Sequence, residues 1–312
     1  MSIVVHRPGF FTTLQDGGRW GYQRYGVPVA GAMDLASHRV ANRLVGNPSW
    51  SATLEVTLVG PELAFEEPTM FAVTGAEFDV RLDEKPIETN TCYLGRPGQR
   101  LGFGDRQAGA RAYVAVAGGF ESPQVFGSRS THVPSSMGGM CGRALRADDR
   151  LDVGELDVGE VDAPNPRAGV RRPGVTPLPK DGARVRVILG AQAGLLGREQ
   201  VELFEQSRYR ITPESDRMGY RLEGRRLKTP ADLSLISSAV ALGTVQVPPS
   251  GLPIVLLADH QTTGGYLQIA TVISADIPVV GQLMASNWIE FEACTQAEAL
   301  RALIAQERAL MA

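Results

Sequence analysis

With 312 residues, 43% of them hydrophobic and 21% charged, the chain has material for one large domain or two of ordinary size and is too apolar to be disordered throughout. Its 31 basic and 34 acidic residues leave a net charge of −3, so no overall field draws it to nucleic acid or to an anionic membrane. Nearly all the positive charge is arginine, with lysine only at Lys85, Lys180 and Lys228. Cys92, Cys141 and Cys294 form no CxxC, and an odd, scattered set argues for a reducing, cytoplasmic setting. No stretch reaches the roughly 18 uninterrupted apolar residues of a membrane span, and the start lacks the apolar core of a signal peptide.

In chain order, the first regular element expected is a helix over Met33–Leu44, with Leu35, Val40 and Leu44 on one stripe and Asp34 near its start. Short apolar runs bounded by turn residues then predict strands at Ser51–Val59, Thr69–Thr74, Phe78–Leu82 and Ala110–Ala117. Between Leu151 and Arg184 an acidic near-repeat gives way to Pro164, Pro166, Pro173, Pro177 and Pro179, a composition that builds no core. The expected division is therefore a first domain over 1–152, a linker or surface crossover over 153–183, and a second domain over 184–312. The second half predicts strands at Ala183–Leu189, Val240–Val247, Pro253–Ala258, Leu267–Ile273 and Ile277–Val280. Helices are expected at Leu196–Phe204 and Thr295–Leu310. The fold class read from this spacing is mainly β, as barrels or sandwiches.

Four clusters carry chemistry. The apolar run ending at Ala258 empties into Asp259-His260-Gln261-Thr262-Thr263-Gly264-Gly265-Tyr266, which would present an acid, an amide and hydroxyls at the end of a strand, with a Gly pair free to take unusual backbone angles. Asp16-Gly17-Gly18-Arg19 reads either as a turn closed by the Asp16 side chain or as a guanidinium displayed for an anion. Around Asp216-Arg217, the density of acid, arginine and tyrosine fits either a loop with its own ion-pair network or a loop that recognises an anionic or biotin-like polar group. A buried Arg217 would need Asp216 or Asp259 as partner. The Gly127-Ser128-Arg129-Ser130 loop offers main-chain N–H groups that either cradle an anion or simply turn the chain.

Absences narrow the field. There is no GxxxxGK[ST], no HExxH, no metal-type Cys/His spacing, no GxSxG and no catalytic-cysteine signature. No metal site is expected, and no lysine stands in a biotin-carrier context.

Taken in order, Gln15-Asp16-x-Gly18-Arg19-x-Gly21, Gly26-Val27-Pro28-x-x-Gly31-x-Met33-Asp34 and Ala41-Asn42-x-Leu44-Val45-Gly46-Asn47 resemble one family. Gly118-Gly119, Gly127-Ser128-Arg129-Ser130, Ser215-Asp216-Arg217-Met218-Gly219, Gln246-Val247-Pro248 and Gln261-Thr262-Thr263-Gly264-Gly265-Tyr266 continue the pattern. The chain resembles the biotin-dependent carboxyltransferase family, also called the allophanate hydrolase subunit 2 type, over roughly residues 3 to 285. That family includes the C subunit of bacterial 5-oxoprolinase, an antagonist of a histidine-kinase inhibitor, and a carboxyltransferase lobe of urea carboxylase.

The resemblance implies tandem cyclophilin-like β-barrels with a few short helices. It implies a member of an ATP-dependent 5-oxoprolinase complex that opens 5-oxo-L-proline to L-glutamate, with ATP used at the level of the complex. The implied partners are a homologous subunit-1-type chain, corresponding to the B subunit of 5-oxoprolinase, and its A subunit. Two alternatives travel with it: the carboxyltransferase half of a biotin-dependent urea or amide carboxylase, and a non-catalytic regulator that binds a histidine-kinase inhibitor. The site residues carried over are Arg217 and Asp259 as catalytic, with Asp16, Arg19, Asp216, Gln261, Thr262 and Tyr266 holding substrate. In that scheme Arg217 or Arg19, with N–H groups of Gly264 and Gly265, stabilises a carbonyl oxygen as it gains charge, and Asp259 orients the arginine or acts as base. The segment Leu283–Phe291 departs from the family's Pro-Gly-Asp turn, so a differently shaped turn is expected there.

Overall fold

In the computed structural model, which describes residues 2–155, 168–230 and 235–311, the chain forms two compact units. The first takes in residues 1–19 and 30–178, the second residues 20–29 and 179–312. The division along the chain thus falls between Leu178 and Pro179. Most of the acidic near-repeat and Pro164 and Pro166 lie outside the described residues.

The first unit is built on β1 (Ser2–Arg7), β2 (Phe11–Gln15), helix α1 (Leu35–Leu44), β3 (Thr53–Thr57), β4 (Glu62–Phe65), β5 (Thr69–Leu82), β6 (Lys85–Pro86), β7 (Cys92–Gly95), β8 (Arg100–Val116) and β9 (Arg150–Asp152). These make one nine-stranded sheet curled as a half-barrel, in the order β2-β3-β8-β4-β1-β9, with β5 joining β8 to β6 and β7. The two separate runs predicted at Thr69–Thr74 and Phe78–Leu82 are one 14-residue strand, which pairs along β8 with register shifts after Gly75, Glu77 and Phe78. Alternate residues of these strands close a core that includes Ile3, Val5, Leu54, Val56, Phe65, Phe71, Val73, Leu101 and Val114. Phe65 and Phe71 meet there with ring centroids 5.0 Å apart.

Helix α1 begins two residues later than the periodicity suggests, because Asp34 caps it. The Asp34 carboxylate accepts from the Ser37 backbone N–H at 2.9 Å and from the Ser37 hydroxyl at 2.7 Å. The helix is tied to the sheet by polar side chains rather than by apolar contact alone. Tyr113 Oη donates to a Glu55 carboxylate oxygen at 2.7 Å and accepts from the Asp34 N–H at the same distance. Asn47 donates to the carbonyl of Val116 and accepts from the N–H of Gly118. Every one of these side chains is buried, so each polar group needs its partner.

The second unit is a closed seven-stranded barrel. Its strands are β10 (Gly182–Leu189), β11 (Tyr209–Ile211), β12 (Gly219–Glu223), β14 (Thr244–Val247), β15 (Ile254–Leu256), β17 (Leu267–Val272) and β18 (Trp288–Ala293), ordered β10-β17-β14-β15-β12-β11-β18. A parallel pairing of β10 with β18 closes the ring; the other pairs are antiparallel. Outside it, β13 (Ser238–Ala239) pairs with β16 (Thr263–Gly264) as a two-stranded ribbon. Helix α2 (Arg198–Gln206) contributes Phe204, stacked on Phe291 with centroids 4.6 Å apart. Helix α4 (Gln296–Met311) starts with reciprocal bonds between Thr295 and Glu298, the capping-box arrangement.

One predicted strand is a helix. Ile277–Val280 falls in α3 (Ile277–Gly281), where Pro278 sits in the first turn, a place where its missing N–H goes unused. An apolar run this short does not distinguish a buried helical turn from a strand. The atypical segment after it forms a tight turn, with Asn287 N–H donating to Met284 O and Ser286 at φ 72°. The mainly-β expectation otherwise holds, and no helix among the described residues is long and apolar enough to cross a membrane.

The cysteines differ in setting. Cys92 is buried, which pushes its thiol up to about 11, whereas Cys141 is exposed. Titration of the native protein with Ellman's reagent should therefore modify Cys141 and spare Cys92 until denaturant is added. Reaction of Cys92 at the same rate under native conditions would contradict this.

Candidate functional site

A concavity lies on the outer wall of the barrel. Strand β12 alternates Tyr220 and Leu222 inward with Arg221 outward. Arg221 is directly opposite Ile254 on β15, and Ile254 is directly opposite Gln246 on β14. Side chains directly opposite on neighbouring strands share a face, so Arg221, Ile254 and Gln246 stand in a row. They line a cavity of about 550 Å³, walled also by Asp216, Met218 and Gly219, by Pro248–Ser250, and by Gln261 and Tyr266. A smaller cavity of about 260 Å³ shares Pro249 and Tyr266 with it.

Two loops make the rim, and one ion pair holds them together. Beyond the paired ends of β12 and β15 the chains stay in register: Leu257 N–H donates to Met218 O, and Asp259 N–H to Arg217 O. Arg217 and Asp259 then form a bidentate pair, Nε to Oδ2 and Nη2 to Oδ1, both at 3.0 Å, with both side chains buried. The partner that a buried Arg217 requires is Asp259. Asp216 instead folds back on its own loop, accepting from the N–H groups of Met218 at 2.8 Å and Gly219 at 3.4 Å.

The residues picked from sequence in this unit thus separate. Asp216, Gln261 and Tyr266 line the cavity; Arg217 and Asp259 lie behind them and do not. Thr262 uses its carbonyl to accept from Val240 N–H and is not part of the lining. None of Leu283–Phe291 lines either cavity. His260 is buried next to the pair, and burial lowers its pKa, so it is neutral at pH 7.

Gly264 and Gly265 do not take left-handed backbone angles; Gly264 is part of the β13–β16 ribbon. Gly264 is needed for space. A Cβ there would lie 2.5 Å from Gln246 Nε2. Gly264→Ala should therefore displace the Gln246 amide at a cost of about 1–3 kcal/mol of stability, the lower end if the flexible side chain yields. Thermal denaturation and a ligand titration of the same variant separate the two effects.

In the first unit, Asp16 and Arg19 belong to a different device. The Asp16 carboxylate accepts from Gly18 N–H at 2.8 Å, Ser128 Oγ at 2.7 Å, Ser130 Oγ at 2.5 Å and Arg129 N–H at 2.6 Å. The anion cradle offered by the Gly127–Ser130 loop is real, and the anion it holds is Asp16. A nucleotide phosphate does not fit a cradle already filled in this way. Arg19 is buried and donates to the carbonyl of Ser130, bracing the same loop. Arg129 pairs with Glu121.

Sequence reasoning missed Arg221 and Gln246 as site residues. Gln246 was visible within Gln246-Val247-Pro248, but its position in the cavity follows from strand pairing that the sequence does not display.

A family model described as carboxyltransferase domain, subdomain A and B, matches residues 25–293. The chain belongs to this carboxyltransferase family. It is 40% identical over 306 residues to the C subunit of 5-oxoprolinase from Escherichia coli K12, covering 98% of this chain and 96% of that one. It is 37% identical over 289 residues to the C subunit of 5-oxoprolinase from Haemophilus influenzae, covering 93% and 90%. Among solved structures, the Kluyveromyces lactis urea amidolyase superimposes with a TM-score of 0.92 at 31% identity, over 99% of this carboxyltransferase chain and 20% of that protein.

Proposed function

We propose that this carboxyltransferase chain is the C subunit of 5-oxoprolinase, a complex that opens 5-oxo-L-proline to L-glutamate with consumption of ATP. The observation that carries the reading is the 40% identity to the Escherichia coli C subunit of the same name, over nearly the whole of both chains. The complex would include a homologous chain of the B-subunit type and an A subunit. The outer-wall cavity of the barrel is where the small polar substrate binds, with Asp216, Gln261 and Tyr266 as its rim. Arg217 and Asp259 act by holding that rim in place.

Opening a lactam requires its carbonyl oxygen to gain negative charge, so a site for it must supply donors or positive charge that are already oriented. The Gln246 amide is the donor on the cavity wall, and the Arg221 charge is there for a carboxylate of the substrate. The loop that offered a cradle for an anion is filled by Asp16, and it leaves no place there for a phosphate of ATP.

A second reading, the carboxyltransferase half of a biotin-dependent urea or amide carboxylase, draws on the likeness to the Kluyveromyces lactis urea amidolyase. Co-expression with the chains encoded beside it, followed by measurement of glutamate released from 5-oxo-L-proline, separates them. ATP-dependent release supports the first reading. Avidin-detectable biotin in a complex that carboxylates urea and releases no glutamate supports the second. Tight partner binding with neither activity supports a regulator.

A further inference from the structure

We propose that Gln246 and Arg221 form the recognition site for a cyclic amide acid on the outer wall of the barrel, Gln246 pairing with the amide edge and Arg221 with the carboxylate. The inference deepens the function proposed above and rests on it for the identity of the acid; the site itself rests on the residues.

Gln246 is 1% exposed, yet it lines the cavity, and its Nε2 has no hydrogen-bond partner among the described residues. A buried amide N–H left unmet is destabilising, and folded proteins rarely leave one so. Gln246 is one of the residues that line the cavity, so an acceptor brought there by a ligand removes the deficit. The absence of a side chain at Gly264 keeps the amide where it is.

Arg221 stands two strands away in the same row, with Ile254 between. At the usual strand spacing the two backbones are about 10 Å apart, so the side chains can close on a small molecule lying over Ile254. Arg221 is exposed and lines the cavity, and the nearby carboxylate that feels its charge is Glu214, with no ion pair between them among the described residues. The acid on the opposite rim, Asp216, is already engaged by two N–H groups of its own loop.

The chemistry of this pair is selective. A five-membered lactam is locked cis, so its N–H and C=O lie side by side on one edge. A glutamine carboxamide also presents a donor and an acceptor side by side, and the two edges pair reciprocally. Urea and 2-pyrrolidinone offer a similar edge. Only a lactam that also carries a carboxylate engages Arg221 at the same time.

The test is calorimetric titration of the full chain, alone and in its co-purified complex, with 5-oxo-L-proline, 2-pyrrolidinone and urea. For the wild-type protein 5-oxo-L-proline should bind tightest. Gln246→Glu, which keeps the shape and removes the amide donor, should weaken both cyclic amides at least about tenfold. Arg221→Met should weaken 5-oxo-L-proline about tenfold and leave 2-pyrrolidinone unchanged. Circular dichroism melting curves confirm that both variants fold, and Gln246→Leu serves as the second variant if Gln246→Glu does not. No binding of 5-oxo-L-proline to chain or complex overturns the site, as does equal affinity in wild type and both variants, or tighter binding of urea. Turnover of 5-oxo-L-proline with unaltered KM in both variants sinks the site and leaves the proposed function standing. Variant-sensitive binding in a complex that releases no glutamate supports the site and sinks the function.

Discussion

Arg217→Ala should destabilise the barrel by about 3–5 kcal/mol, the cost of leaving a buried carboxylate without its partner. The carboxylate is Asp259, almost fully buried and held by two parallel bonds of 3.0 Å. Truncation removes both at once, and the low-dielectric surroundings offer Asp259 no water in exchange. Arg217→Lys should fall between, because a lysine is a point charge and cannot make the bidentate pair. Replacing both partners by apolar residues, Arg217→Met with Asp259→Leu, should recover most of the loss, since neither charge is then stranded. Guanidinium chloride unfolding, followed through the barrel tryptophan Trp288, gives the four values. The outcome also decides how Arg217 serves the site. As the clamp behind the rim, its loss lowers stability and ligand affinity together, because Asp216 and Gln261 lose their shared anchor. A variant of wild-type stability whose only defect is a lower kcat would instead make Arg217 a group that acts on the reacting carbonyl.

Much of this molecule was legible in its sequence, though the reasons differ from place to place. The mainly-β class followed from short apolar runs between turn residues, and α1 from a stripe beginning at an acid. The residues that carried the family resemblance turn out in large part to be buried polar scaffolding. Asp34 caps α1, Asn42 and Asn47 tie the helix to the sheet, and Asp16 fills the loop at Ser128 to Ser130. Such residues leave a strong imprint because a buried polar group admits few substitutes, whether or not it touches a ligand. Gly264 shows the opposite case: sequence suggests backbone freedom where the structure needs room for the Gln246 amide. Arg221 and Gln246 line one cavity because β15 joins their strands, and the order in which strands pair around a barrel is a long-range property with no local signature. Ile277–Val280 failed for a simpler reason, that so short an apolar run fits either period.

The second large effect concerns pH and the first unit. His38 lies in α1, fully buried, with Nδ1 2.9 Å from Thr53 Oγ1 and Nε2 3.3 Å from the Asn42 amide nitrogen. Burial lowers its pKa to about 4, against the pull of Asp16 and Glu55, which favour the charged form. In the unfolded chain the same imidazole takes up a proton near its ordinary value of 6.5. Between those two values the unfolded state binds one more proton than the folded state, so stability falls as the pH is lowered. The contribution is fully present above about pH 6.5 and declines by about 1.4 kcal/mol per pH unit, for a total of about 3 kcal/mol by pH 4. Asp149, held down by its bond from Arg143, and Glu290, held down by Arg208, act with the same sign, but only below the ordinary carboxylate range. His260, also lowered by burial, shares the upper window but belongs to the barrel. Denaturant midpoints of wild type and His38→Gln between pH 7.5 and 5 therefore isolate the effect. The wild-type midpoint for the first unit should hold level down to about pH 6.5 and fall below it, and the variant's should stay nearly flat, because glutamine has no proton to gain. Parallel decline of the two curves would mean that His38 accepts its proton inside the folded protein, and that the polar neighbours of α1 accommodate an imidazolium.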